Sequence, residues 1–163
     1  MLHKKILVEL KEYIDFHLTR DEFALCLEAQ HPIYKEDMLT GELEDFIKEN
    51  RKPTLNQILF RYIDEKGVHD SVIYKKAGLD RRHFSKIRSN PEYHPKKQTA
   101  IALALALELG VEDAEDLLNA AGYSLSDSDK SDLVIRFCLE KEIYDLQMVN
   151  EALDHVQLKP LNA

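Results

Sequence analysis

The sequence predicts an all-α protein, and three observations carry that reading. The 163 residues include only five Gly, five Pro and no Trp, while Ala, Leu, Glu and Lys, which favour helices, are plentiful. Apolar residues recur at spacings of three and four. Residues that cap or stop helices stand where those runs break. The length fits one domain, or one small domain with helical additions. With 44% hydrophobic and 32% charged residues, the composition is that of a soluble globular protein and excludes a fully disordered chain.

The first helix is expected over Leu2 to Leu18, where Leu2, Ile6, Leu10, Tyr13, Ile14 and Leu18 form one apolar stripe. A short helix follows over Asp21 to Ala29. Residues 30–41, with Pro32 and Gly41, read as a connector, and Glu42 to Lys48 as a further turn or two of helix. Asn50 to Pro53 reads as a linker, which sets off residues 1–50 as an acidic helical N-terminal extension.

Beyond the linker, Thr54 is a fitting N-cap for a helix carrying Leu55, Ile58, Leu59, Tyr62 and Ile63, which Gly67 stops. Asp70 can cap a second helix with Val72, Ile73 and Ala77 that stops at Gly78. Asp80 can cap a third that ends near Asn90 and Pro91. A fourth runs from Lys96 to Leu109 and ends at Gly110, and a fifth from Glu112 to Ala121 before Gly122. Ala100 to Leu107 alternate with period two, as a strand would. Alanine is depleted in strands and is the best helix former, so the helix is preferred. Ser126 to Glu142, opened by Asp127, Asp129 and Asp132, and Asp145 to Val156 complete an acidic C-terminal helical hairpin over 126–163.

The net charge of −8 hides a strong asymmetry. Residues 1–50 carry 6 basic and 12 acidic side chains, residues 51–100 carry 12 and 5, and residues 101–163 carry 4 and 13. Local charge decides where a polyanion sits, so the basic middle segment keeps nucleic acid open as a partner.

That middle segment holds the one pattern more specific than a generic helix, Asp70 to Asn90. Around Gly78, apolar residues fall five before (Ile73), one before (Ala77), one after (Leu79), six after (Phe84) and nine after (Ile87). Those spacings suit two helices crossing steeply at a tight turn, which Gly opens at little steric cost. The third helix is then held with one face free: Arg81, Arg82, Ser85, Lys86 and Ser89, with His83 and Arg88 at the margins. In a major groove, Arg and Lys donate to guanine and Ser serves either base, so Arg82, Ser85 and Lys86 are the expected base-reading residues. Arg81, Arg88, Lys96 and Lys97 suit phosphates.

These residues resemble the lambda-repressor-like (XRE-type) helix-turn-helix family over about residues 54–123. The resemblance rests on "VIYKKAGLDRRHFSKIRS", on the Pro-Lys-Lys-Gln-Thr start of the fourth helix with "LALELGV" at its end, and on "AEDLLNAAGYSL" as a fifth helix. More narrowly, the segment is similar to a small bacterial helix-turn-helix module found alone or fused behind other domains, such as ADP-ribose-processing macro domains. It implies a five-helix core with N- and C-terminal helical extensions, and double-stranded DNA as partner. One departure stands out: the family has a small residue, commonly Ala, four before the turn Gly, and this chain has Tyr74. Either the two helices splay there or the ring lies along the groove between them.

Other chemistry finds little footing. Cys26 and Cys138 lie among apolar neighbours, with no second Cys or His at a ligand spacing, which suits free buried thiols in a reducing cytoplasm. The seven His share no i, i+4 pair, and Asp127, Asp129 and Asp132 lack the Gly turn and distal Glu of a calcium loop. No phosphate-cradling Gly-rich loop or catalytic triad pattern is visible, so neither cofactor nor enzymatic activity is expected. No stretch has the roughly 18 apolar residues of a membrane span.

The expectation is a non-enzymatic, sequence-specific DNA-binding protein, a bacterial transcriptional regulator reading the major groove with Arg81 to Ser89. The alternative is a protein–protein interaction module, an adaptor or antitoxin-like partner in a bacterial stress or phage-defence operon, whose acidic flanks and Tyr74 depart from DNA readout. Leu133, Phe137, Ile143, Leu146, Val149, Leu153 and Val156 are expected to cap the core or to form a homodimer contact.

Overall fold

The computed structural model of the chain describes residues 4–17 and 32–162, with side chains described over 6–13 and 38–162. The regular elements among them are all helical: α1 (Lys4–His17), α2 (Pro32–Asn50), α3 (Leu55–Lys66), α4 (Asp70–Lys76), α5 (Arg81–Ser89), α6 (Lys97–Ala106), α7 (Val111–Ala120), α8 (Lys130–Glu140) and α9 (Leu146–His155). The expected helix at Asp21 to Ala29, and Cys26 within it, lie outside the described residues. The chain divides into two compact units between Arg51 and Lys52.

The first unit holds α1 and α2, and α2 replaces the expected connector. It begins on Pro32, whose fixed φ and missing N–H suit a first helical position. It then runs unbroken through Gly41, at a cost of about 1 kcal/mol relative to Ala. Leu39, Leu43, Phe46 and Ile47 on α2, and Ile6, Leu10 and Tyr13 on α1, are all exposed.

The second unit is built around α6. From Thr99 to Ala106 every residue of that helix is buried, which explains the misleading alternation: a helix covered on every side needs no polar stripe. The Ala residues let neighbouring helices approach closely, and α4, α7 and α9 pack against it. One continuous core joins Leu59 and Ile63 of α3, Ile73 of α4, Phe84 and Ile87 of α5, Leu117 of α7, Ile135 and Leu139 of α8, and Val149 and Leu153 of α9. The C-terminal hairpin therefore shares this core. Of the seven residues expected to cap the core or meet a second copy, Val149 and Leu153 are fully buried, Ile143 and Leu146 pack at the core's edge, Val156 is half-buried, and Leu133 and Phe137 are exposed.

Helix starts follow short-range chemistry. The Thr54 hydroxyl accepts from the Gln57 N–H and the Gln57 side chain accepts from the Thr54 N–H, a reciprocal cap for α3. Asp80, Asp129 and Asp145 each accept from the amide three residues on, opening α5, α8 and α9. Asp70 does not cap α4. His69 occupies that position without a side-chain bond, and Asp70 is the first helical residue.

Five helix ends share one device. Leu79, Leu109, Tyr123, Ile143 and Leu158 each donate an N–H to the carbonyl five residues back, at 2.8 to 3.2 Å. The residue before each of them is left-handed: Gly78, Glu108, Gly122, Glu142 and Gln157. α6 thus stops at Glu108 (φ +54) and not at Gly110, whose φ is −65° and which opens α7. Burial of Leu107 and Leu109 on either side of Glu108 offsets the cost of about 1–2 kcal/mol for that conformation.

Of the two glycines among these turns, Gly78 is the more closely packed. Its φ is +69°, and a Cβ there would stand 3.2 Å from Leu146 Cδ2 of α9. Gly78→Ala is expected to lower stability by about 1–2 kcal/mol through the left-handed backbone, with Leu146 adding to the loss. Urea unfolding of the two proteins measures it, and a variant as stable as the parent contradicts the turn geometry.

Candidate nucleic-acid interface

The face of interest is built from the turn outward. Ala77, Gly78, Leu79 and Asp80 link α4 to α5, and Ile73, Ala77, Leu79, Phe84 and Ile87, the five apolar positions spaced around Gly78, are all buried. Tyr74 is half-buried. Its ring packs on Phe84, with centroids 5.7 Å apart and planes at 48°, while its carbonyl accepts the Leu79 amide at 2.8 Å. The ring is therefore taken up between the two helices, and Phe60 meets Phe84 edge-on at 6.0 Å.

The far end of α5 is tied to α3. Asn56 Nδ2 donates to the Ile87 carbonyl at 2.6 Å and to the Arg88 carbonyl at 3.2 Å, satisfying acceptors that the helix end leaves open. With Asp80 capping one end and Asn56 the other, α5 is fixed at both termini while its polar face stays in water.

The expected site residues separate into groups. Arg81, Ser85 and Arg88 line a cleft of about 620 Å³ whose other wall includes Asp64, Asp70, Ser71 and Tyr74. Arg88 is engaged there: it pairs with Asp70, and its guanidinium lies over the Phe60 ring at 5.0 Å. Lys86 turns the other way, its ammonium 4.6 Å from the centroid of Tyr93. Arg81 and Arg82 are exposed and form no ion pair with any described residue.

Lys96 and Lys97 stand at the start of α6 and differ sharply. Lys96 occupies the N-cap position and is exposed. Lys97 Nζ is 2.7 Å from Asp132 Oδ2, in a pair whose lysine side chain is 34% exposed and whose carboxylate is 7% exposed. The same Asp132 oxygen accepts the Ser126 N–H at 2.9 Å. Asp132, expected to open α8 by its charge, is thus turned inward onto α6, and Asp129 performs the cap. Its charge balances that of Lys97 beside the helix start where a phosphate was expected.

Asp70, Asn56, Asp132 and Tyr93 are the residues that the sequence reading missed around this face. The first three act across 18 to 35 positions of chain, a range no local pattern reports. Tyr93 follows the Asn90–Pro91 turn signal, which was legible.

Elsewhere the electrostatics are quieter. Burial pushes the Cys138 thiol up, and Cys138 is free and unreactive by position. Burial, then Asp113, raises Tyr62; burial, then Glu142 and Glu108, raises Tyr144. No cluster of three His, Cys, Asp or Glu among the described residues is placed to hold a metal ion, and none of the described helices is long and apolar enough to cross a membrane.

Compared with models of protein families, with curated proteins and with solved structures, the chain gives no match.

The Lys97–Asp132 pair makes a testable demand on stability. Lys97→Ala leaves a buried carboxylate without its cation, and is expected to cost about 1–3 kcal/mol, the exposed lysine tip keeping it below the value for a fully buried pair. A loss under about 0.5 kcal/mol in urea unfolding would show a solvent-exchanged surface contact instead.

Proposed function

We propose that residues 54–123 form a lambda-repressor-like helix-turn-helix domain that binds double-stranded DNA, and that the chain acts as a bacterial transcriptional regulator without enzymatic chemistry. The observation that carries this reading is α5 itself. Its apolar side, Phe84 and Ile87, is locked into the core, while Arg81, Arg82 and Ser85 stand on an exposed face at a turn whose five apolar neighbours are all buried.

The binding physics follows from the pairing pattern. Phosphate contacts fix register, and base-edge contacts set sequence preference. Arg81 and Lys96, exposed and without ion-pair partners among the described residues, are the phosphate contacts of first rank. Arg88 and Lys97 contribute less, because Asp70 and Asp132 already balance them. Arg82, Ser85 and Lys86 read base edges in the major groove. Acidic side chains farther from the DNA than the screening length of about 8 Å at physiological salt matter little.

A second reading has its own observation. Two of the four expected phosphate cations are paired, and α1 and α2 expose Ile6, Leu10, Leu39, Leu43 and Phe46, which suits an adaptor or antitoxin-like protein that meets another protein. A toxin, kinase or nuclease encoded beside this chain and co-purifying in fixed ratio favours it; recovery of no stoichiometric partner counts against it.

Fluorescence anisotropy on duplex DNA, including the chain's own upstream region, tests the first reading. Affinity is expected to fall about 10- to 150-fold between about 50 and about 200 mM salt, as neutralising roughly two to four phosphates requires. Lys96→Ala is expected to weaken binding on all sequences alike and to lower the salt slope by about 1. Arg82→Ala is expected to cost about 1–3 kcal/mol and to relax preference at one base pair. Equal loss on every sequence for both variants removes base readout, and no binding at low salt removes DNA.

A further inference from the structure

We propose that Tyr93 is a positioning residue for Lys86, holding the ammonium against its ring so that α5 presents this lysine in a fixed direction to one base pair. The inference rests on the DNA-binding reading of α5 and adds a residue outside that helix to its specificity.

The chain's path explains how Tyr93 reaches α5. The Asn90 N–H donates to the Lys86 carbonyl at 3.2 Å, closing the helix. The Asn90 side-chain oxygen then accepts the Glu92 N–H at 3.1 Å, and the Asn90 carbonyl accepts the Tyr93 N–H at 3.0 Å. Pro91 pre-sets the backbone of this turn. The turn folds the chain back, so that Tyr93 lies alongside the helix it has just left.

Two α5 residues three apart, and therefore on one side of the helix, converge on that ring. Lys86 Nζ stands 4.6 Å from the ring centroid, within cation–π range. His83 Nε2 lies 3.3 Å from the Tyr93 hydroxyl, its ring edge-on to Tyr93 with centroids 6.1 Å apart. The histidine anchors the phenol and the phenol anchors the lysine. An unrestrained lysine explores many rotamers on its four-carbon stem, and a tethered one loses less freedom on meeting a base edge. Of the three base-reading candidates, Lys86 is the one that meets Tyr93, so the effect belongs to it and not to Arg82.

The test uses the full chain and a duplex that the wild-type protein selects from a randomised pool, with an unselected duplex beside it. Tyr93→Leu is expected to weaken binding to the selected duplex about 2- to 5-fold, the range of an exposed cation–π contact, with less change on the unselected one. That loss is expected to vanish in a Lys86→Ala background and to persist in an Arg82→Ala background. Tyr93→Phe, which keeps the ring and loses the His83 bond, is expected to fall between. Circular dichroism checks folding, and if Tyr93→Leu does not fold, Tyr93→Phe takes its place in the same cycle. Losses that add with Lys86→Ala, or that are equal on both duplexes, overturn the positioning role while leaving DNA binding in place. A wild-type protein that selects no duplex from the pool overturns both the positioning role and the base readout it rests on.

Discussion

Eight consecutive residues of α6, from Thr99 to Ala106, are buried, so no face of that stretch meets water. A helix of this kind has to be covered all round, and the arrangement of the second unit follows from that requirement. α4, α7 and α9 pack against it, and the same core takes in α3, α5 and α8. The buried carboxylate of Asp132 is compensated by Lys97 and the Ser126 amide, as burial of a charge demands. The candidate interface sits at the edge of this packing. α5 gives Phe84 and Ile87 to the core and keeps its cationic side outside.

What fixes α5 comes from distant parts of the chain. Asn56 of α3 holds its last carbonyls, Asp70 of α4 holds Arg88, and Leu146 of α9 stands against the Gly78 turn that sets its entry. The C-terminal hairpin thus reaches the interface from two sides, through Leu146 at the turn and through Asp132 at the start of α6. Its removal would uncover the side of α6 on which α9 packs as well as freeing the turn. Residues 130–161 therefore belong to the same cooperative structure as the interface they do not themselves form.

Much of this was legible in the sequence where the cause is local. The all-helical class, the Thr54 and Asp80 caps and the five apolar positions around Gly78 depend on residues within one or two turns, and short-range patterns report them. Helix ends were less legible for a physical reason. Five helices end through a left-handed residue followed by an apolar one tucked back, and among those five glycine marks only Gly78 and Gly122. At Glu108, Glu142 and Gln157 the packing of the next residue, buried at Leu109 and half-buried at Ile143 and Leu158, supplies what glycine would have, and packing is a tertiary fact. The separation of the cations into exposed Arg81, Arg82 and Lys96 and paired Arg88 and Lys97 was invisible for the same reason, since Asp70 and Asp132 stand 18 and 35 positions away along the chain. Tyr74 left two outcomes open, and its ring packs on Phe84 of the following helix.

A DNA-reading surface on the exposed side of α5, carried by a rigid helical core, has a signature that can be mapped residue by residue. An amide-resolved NMR titration of the full chain with a duplex it binds locates the contact without altering any residue. Perturbations are expected to concentrate from Arg81 to Ser89 and at Lys96, with the buried amides of Leu103 to Leu107 unchanged. Perturbations confined to α1 and α2, or none on α5 at saturation, would place the binding surface elsewhere and refute this reading.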